Sequence, residues 1–283
     1  MQFVILDLEW NTAYSRQKKC YVNEVIEFGA VMLDENLEII DTYSSFVRPQ
    51  IEKKLHSRVK KLTNISNEDV ADAEDYETVS EDFADWIGDF DDTVILSWGE
   101  MDVRTLIDND RYFFHNPVIP YLTHYSDLQA AFMKEKGLPS NQQIGLSNAA
   151  ELIDVNPDDY VHHRALGDCE LTAVCFQAIY KPGEYEKNYI KVCDEKFYKR
   201  LLFKPYIIKD INDKHVDRSA MNCLCMECGE ACRQTSGWKF SNSSFKANFT
   251  CDACKERYRV NIQFRRLYSQ VTSKKTITSL NKE

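Results

Sequence analysis

The sequence predicts a mixed α/β domain, a sheet flanked by helices, followed by a small cysteine-rich unit. Three observations carry this expectation. Apolar, β-branched segments come first and in succession, helical periodicities then alternate with a further strand, and six of the ten cysteines crowd into residues 223–254. Residues 3–9 read as a short buried strand, 25–33 as a second, and 39–47 as a third that Arg48-Pro49 stops. Asp34-Glu35-Asn36 suits a turn between the last two. Residues 77–90 place Val79, Phe83, Trp86, Ile87 and Phe90 at three-and-four spacing, which predicts an amphipathic helix. A fourth strand follows at 93–98, then helices at 102–108, 146–153 and 167–180, the last closed by Lys181-Pro182-Gly183. The reading divides the chain into a domain over 1–183, a helical connector over 184–220, the cysteine-rich unit over 221–268, and a mobile basic tail over 269–283.

Composition narrows the function classes. With 43% hydrophobic and 28% charged residues in 283, there is ample material for a core. No stretch approaches the roughly 18 consecutive apolar residues of a membrane span, and the apolar run after Met1 is too short for a signal peptide. The expectation is a cytoplasmic protein with no membrane partner. In a reducing compartment, clustered cysteines point to metal binding rather than to a disulfide framework. Cys20, Cys169, Cys175 and Cys193 are scattered and read as small apolar side chains. The net charge of −10 hides an asymmetry. Residues 233–283 hold 11 Lys/Arg against 3 Asp/Glu, while residues 1–232 hold 24 against 42. An acidic body with a basic end directs attention to anionic partners.

Asp7-Leu8-Glu9 ends an apolar strand, and a period of two puts Asp7 and Glu9 on one face. Paired carboxylates stay solvated, share a proton or bind a cation, and hard divalent cations prefer such oxygens. Alone, the tripeptide is better read as a strand running out into an acidic turn. Asp102 lies just beyond the strand 93–98 at a helix start, where the macrodipole by itself favours an acid. His163 precedes Asp168, which opens another helix, by five residues. The order is strand-acid-acid, strand-acid, His-acid-helix.

In these pieces the chain resembles the DnaQ-like DEDDh 3′–5′ exonucleases, and within them the KapD/Eri-type branch. Asp7-Leu8-Glu9, Ser97-Trp98-Gly99-Glu100-Met101-Asp102 and His163-Arg164-Ala165-Leu166-Gly167-Asp168 match the three motifs. The strand over 25–31 and Lys61-Leu62-Thr63-Asn64-Ile65 are also similar to that branch, and the likeness spans about residues 1–180. The subclass with tyrosine in place of histidine would need it at position 164, which is Arg164. Trp10 and Trp98 stand where many relatives have threonine and asparagine, which moves the reading away from the proofreading branch. The resemblance implies a ribonuclease H-like fold, a catalytic set of Asp7, Glu9, Asp102, His163 and Asp168, and two Mg²⁺ or Mn²⁺ ions. It also implies the roles. Asp7 would bridge the metals, Glu9 and Asp168 would complete one site, Asp102 would act at one remove through water, and His163 would take a proton. His162 is its nearest rival, with the wrong spacing to Asp168. Leu8, Trp10 and Trp98 beside the motif acids are candidate contacts to the nucleic acid.

Cys225-Met226-Glu227-Cys228 and Cys251-Asp252-Ala253-Cys254 form two Cys-x₂-Cys pairs, 22 residues apart. That spacing resembles a zinc ribbon, with Gly229 easing one knuckle and short strands at 238–240 and 245–250 between. Cys223 and Cys232 flank the set as alternative ligands. One structural Zn²⁺ would hold together a unit with little core of its own. Basic residues, Lys239, Lys246, Arg257 and Arg259 among them, interleave with aromatics. Cations attract phosphates and exposed rings stack on unpaired bases, so this unit is a candidate nucleic-acid contact.

The favoured function is a metal-dependent 3′–5′ exonuclease on single-stranded nucleic acid, RNA before DNA, releasing 5′-mononucleotides. The alternatives are a regulatory protein on an exonuclease scaffold, a DNA-repair or proofreading exonuclease, and an enzyme of very short oligonucleotides.

Overall fold

The computed structural model describes residues 1–139, 142–161 and 163–281 and divides into two compact units, Met1–Leu201 and Leu202–Glu283. His162, weighed above as a rival base, lies outside the described residues.

The first unit opens with a long hairpin, β1 (Gln2–Ser15) and β2 (Cys20–Leu33), to which β3 (Ile39–Phe46) adds antiparallel. Asp34 makes the turn before β3 by accepting hydrogen bonds from the backbone N–H groups of Asn36 and Glu38, both at 2.9 Å. Helices α1 (Ser57–Thr63) and α2 (Tyr76–Ile87) follow, then β4 (Thr93–Ser97) and α3 (Met101–Phe113). Next come β5 (His124–Asp127), α4 (Leu128–Glu135), α5 (Leu146–Glu151) and α6 (Ala165–Gln177). The unit closes with α7 (Glu184–Tyr189), β6 (Lys191–Val192) and α8 (Glu195–Leu201). The strand order is β3-β2-β1-β4-β5-β6, with β1, β4 and β5 parallel and the outer pairs antiparallel. This is the mixed sheet flanked by helices that the pattern predicts.

Alternation along β2 explains the layering. Phe28 points to one face and stacks near Phe83 of α2 (ring centroids 5.5 Å apart). Its neighbour Gly29 points to the other face, where a Cβ would stand 2.3 Å from the backbone of Ala165 in α6. Only a glycine lets α6 lie so close on the sheet. The core on the α6 side gathers Phe3, Ile5, Val31, Leu96, Phe132 and Phe176.

Several boundaries differ from expectation. The first strand runs on to Ser15 because Asn11, Ala13 and Ser15 keep alternating inward. The helix expected over 102–108 extends to Phe113, and the long helix begins at Ala165, not at residue 167. The connector over 184–220 is not a separate body. Its α7–α8 part belongs to the first unit, where β6 pairs with β5 and the Tyr198 hydroxyl accepts from the Ile119 N–H at 3.2 Å.

In the second unit, the edge strand β7 (Tyr206–Ile207) precedes β8 (Arg233–Gln234), β9 (Lys239–Ser241), β10 (Ser244–Thr250), β11 (Arg257–Arg266) and β12 (Val271–Ser279). The order is β12-β11-β10-β8, with β7 beside β11 and β9 beside β10. The cysteine-rich unit therefore exceeds 221–268 at both ends. The expected mobile tail is β12, paired with β11 from Arg266↔Val271 to Tyr258↔Ser279, with Ile277 packed against the core. Its polar residues mask a strand because one of its faces is entirely solvent-facing.

Candidate active site and metal centre

Three segments distant in sequence meet at the end of β1. Asp7 and Glu9 leave β1 on the α6 face, and Asp168 lies in the first turn of α6. One carboxylate oxygen from each lies within 4.8 Å of those of the other two. Asp102, only 5% exposed in the first turn of α3, stands outside that trio. Its Oδ1 accepts a hydrogen bond from the Leu8 N–H at 3.2 Å. The N–H between the two strand acids thus positions the third acid. An open cleft of about 720 Å³ holds all four acids together with His163. His163 is exposed and has a left-handed backbone (φ 55°) just before α6.

Charge crowding is the dominant electrostatic fact. Burial, and then Asp102, Asp168 and Glu9, raise Asp7 well above the usual carboxylate range. Burial and Asp168 push Glu9 up to about 8, with Arg164 opposing. Burial raises Asp102 to about 7 against the pull of the Leu8 N–H. Half-buried oxygens converging at this separation suit a hard divalent ion.

Sequence reasoning missed the groups that hold this arrangement. Glu27, 1% exposed and paired with Glu9 across the β1–β2 ladder, takes Arg164 at 2.7 Å and accepts from the Ala165 N–H at 3.3 Å. It thereby fixes the residue after His163 and the first turn of α6. Gly167 is needed as well, since a Cβ there would meet the Val161 carbonyl oxygen at 2.1 Å. The signal was present, an acid two residues from Gly29 on an apolar strand, but it reads as an ordinary alternation. Buried Cys169 donates to the Gly29 carbonyl at 3.2 Å, and burial and Asp7 push its thiol up.

The flanking aromatics fall in the same cleft. Trp10 and Trp98 are half-buried and Leu8 is buried along its wall. Trp98 donates its indole N–H to the Ile144 carbonyl at 3.2 Å and packs on Phe132. Leu62 and Met101, about half exposed, form an apolar rim that the sequence reading did not single out.

In the second unit, Cys225, Cys228, Cys251 and Cys254 bring their sulfurs within 4.8 Å of one another. The two knuckles repeat one backbone pattern. Gly229 donates to the Cys225 carbonyl (3.0 Å) and Cys225 to that of Glu230 (2.8 Å). Lys255 donates to the Cys251 carbonyl (2.9 Å) and Cys251 to that of Glu256 (2.8 Å). Both turns need a left-handed residue, Gly229 (φ 78°) in one and Lys255 (φ 62°) in the other. The Tyr258 hydroxyl, 3.2 Å from the Cys225 sulfur, lowers that thiol to about 6. Four converging sulfurs, one of them an easy thiolate, fit tetrahedral zinc. Cys223 and Cys232 are not in the set; they face each other across a small hairpin, joined by the Cys232 N–H to the Cys223 carbonyl at 2.8 Å.

Lys239, Lys246, Arg257 and Arg259 all lie on the outward face of β9–β11. The aromatics expected to stack on bases do not join them. Phe245, Phe249, Tyr258 and Phe264 are buried, and Trp238 and Phe240 pack against the unit's two apolar clusters. A unit this small needs its rings for its own core.

A fold of this topology with three acidic motifs around one cleft defines a class. The exonuclease family (RNase_T) matches residues 4–176, more than half of the chain. The chain belongs to that family and is an enzyme of the 3′–5′ exonuclease class with the DEDDh pattern. Its particular likenesses are these. The probable 3′–5′ exonuclease KapD of Bacillus subtilis (strain 168) is 29% identical over 194 residues, 66% of this chain and 87% of that protein. A PolC-type DNA polymerase III of Staphylococcus aureus (strain bovine RF122 / ET3-1) is 29% identical over 209 residues, which are 70% of this chain but 13% of the polymerase. Among solved structures, the nuclease domain of 3′hExo, a DEDDh family member bound to rAMP, gives a TM-score of 0.56 at 22% identity, over 64% of this chain and 92% of that one. Cell-death related nuclease 4 gives 0.55 at 17%, over 81% and 87%. At these identities the likeness to solved structures is one of fold. No helix among the described residues is long and apolar enough to cross a membrane.

Proposed function

We propose that the chain removes nucleotides from the 3′ end of single-stranded nucleic acid, releasing 5′-mononucleotides. The convergence of Asp7, Glu9 and Asp168, with Asp102 hung from the strand between the first two, carries this reading. Asp7, Glu9 and Asp168 would hold two Mg²⁺ or Mn²⁺ ions, with Asp102 acting at one remove through water. Such ions stabilise the charge that builds on the attacking and leaving oxygens of a phosphodiester. His163, exposed at the cleft, takes the proton of the attacking water as its oxygen bonds to phosphorus. The bond from phosphorus to the 3′ oxygen then breaks, that oxygen takes up a proton from solvent, and a mononucleotide and a shortened strand result. The rim of Leu62, Met101, Trp10 and Trp98, with Leu8 behind it, offers apolar surface to unpaired bases, which supports single strands over duplex.

RNA is favoured over DNA through the Eri-type resemblance at Trp10 and Trp98. The likeness to KapD extends over most of that protein and the likeness to the polymerase over a small part of it, which supports a KapD-like role over a proofreading one. Cys225, Cys228, Cys251 and Cys254 would hold one structural Zn²⁺, and Lys239, Lys246, Arg257 and Arg259 would give the enzyme a second grip on its substrate. Cysteines clustered as metal ligands support a cytoplasmic location. The test is metal-dependent turnover of matched RNA, DNA and dinucleotide by the intact chain. Release of mononucleotides from the 3′ end, fastest on RNA, is expected; Asp7→Ala protein that still degraded strands at the native rate would overturn the assignment.

A further inference from the structure

We infer that the outward face of the second unit's sheet binds a phosphodiester backbone, gripping successive phosphates without stacking or reading the bases. The identity of the polyanion as nucleic acid rests on the exonuclease reading; the mode of binding rests on the sheet itself.

The register puts the cations in one plane. Lys239 pairs with Lys246 and Lys246 with Asn261; Asn248 pairs with Arg259 and Thr250 with Arg257; Gln263 pairs with Lys274 and Arg265 with Thr272. All of these project away from the buried row Tyr258, Val260, Ile262 and Phe264. Six cations, amides and hydroxyls therefore share one face, and β9 to β12 contain no Asp or Glu. Among the described residues none of the six has an ion-pair partner; Arg259 reaches only the Asn248 side chain, at 3.4 Å. The neighbouring acid Asp252 is held by Arg233 at 3.1 Å. Residues 202–283 carry 15 Lys/Arg against 8 Asp/Glu in a chain whose net charge is −10. Uncompensated like charges on one flat face repel, and an anion offsets that cost.

The shape selects an extended anion. Outward side chains on one strand recur about every 6.6 Å, so Arg257 to Arg265 spans roughly 26 Å, too long for a lone phosphate to bridge. The absence of rings among the outward side chains of β9 to β12 selects the mode. Surfaces that hold unpaired bases present aromatic side chains, worth about 1–3 kcal/mol per base. Here Phe240, Phe245, Phe249, Tyr258 and Phe264 are all turned inward. What remains outside can pair with phosphates and sugar hydroxyls, contacts that position a strand without carrying sequence.

The test uses the full chain carrying Asp7→Ala, which keeps probes intact. Binding is measured across a salt series to single strands of about 30 nucleotides whose last few 3′ nucleotides are native and whose remainder is native or abasic. The two probes should bind within about twofold, since stacking contributes nothing here. Adding Arg257→Gln and Arg265→Gln should weaken both about tenfold and flatten the log–log salt slope by about 1.4, two phosphates at about 0.7 each. Zinc content, unchanged in that variant, verifies that the unit is folded. An abasic probe that binds more than about tenfold weaker, or a variant with unaltered affinity and slope, would overturn the inference. Failure of the exonuclease reading is seen separately, as absence of metal-dependent mononucleotide release from a native strand by the unaltered chain.

Discussion

The two metal-type clusters are built by opposite strategies. The carboxylates come from β1, α3 and α6, up to 161 positions apart, and are brought together by a sheet and helices with a large apolar core. The four cysteines come from two local turns of the same design, in a unit whose apolar clusters are small. In the first unit the fold makes the site, at the cost of crowded charge; in the second a bound zinc would make the fold.

Removing each metal should therefore have unlike consequences. Chelating zinc, or Cys251→Ala, should unfold the second unit, because a structural zinc supplies on the order of 10 kcal/mol of folding free energy. Calorimetry should record loss of one transition while that of the first unit persists. Asp7→Ala should do the reverse. Turnover should fall about a thousandfold or more, the scale of losing a charge-stabilising group at the reacting centre. Its melting temperature should hold or rise, since one member of a repelling set is gone.

Gly29→Ala probes the fold-makes-site side directly. The added methyl meets Ala165, so α6 must back away, with a loss of about 1–3 kcal/mol in denaturant melts. Turnover should drop as Asp168 and His163 move with the helix. Asp110 supplies a comparison acid outside the site. Burial raises it to about 6, and the Tyr76 hydroxyl donates to it at 2.6 Å. A folded pKa above the unfolded value near 3.8 means that the protonated form favours the native state. This stability is complete below about pH 4 and is lost as pH rises through about 6, at most about 3 kcal/mol. Asp110→Asn should remove Asp110's share of the slope between pH 4 and 7 in urea titrations and leave that of the raised site acids Glu9 and Asp102; an unchanged slope would place its origin elsewhere. The smallest effect distinguishes the two knuckles. Gly229→Ala should cost the second unit about 1 kcal/mol, whereas Lys255→Ala, already a left-handed side chain, should cost close to nothing.

Legibility follows the same division. The Cys-x₂-Cys pairs declare themselves because a knuckle needs its ligands three apart and a tight turn between. Asp7 and Glu9 are ambiguous until Asp102 and Asp168 appear in order, because no local spacing encodes where a strand end meets two helices. The helix α6 is legible, but not its first turn at Ala165, which depends on Glu27 lying 138 positions away. The strand β12 was hidden by its polarity, and β5 and α4 by their shortness. The outward turn of the cations and inward turn of the rings in β10 and β11 follows from a period of two. Reading it needs the register, which composition does not contain.

The hydrogen bond from Leu8 to Asp102 has a mechanical consequence. One peptide segment of three residues carries two acids and tethers a third, so a slip of β1 would drag them together as a block. Relative placement among those three is thereby insulated from breathing of the sheet. The other half of the cleft, the α6 end with Asp168 and His163, is positioned separately, by Glu27 through the Arg164 guanidinium and the Ala165 N–H.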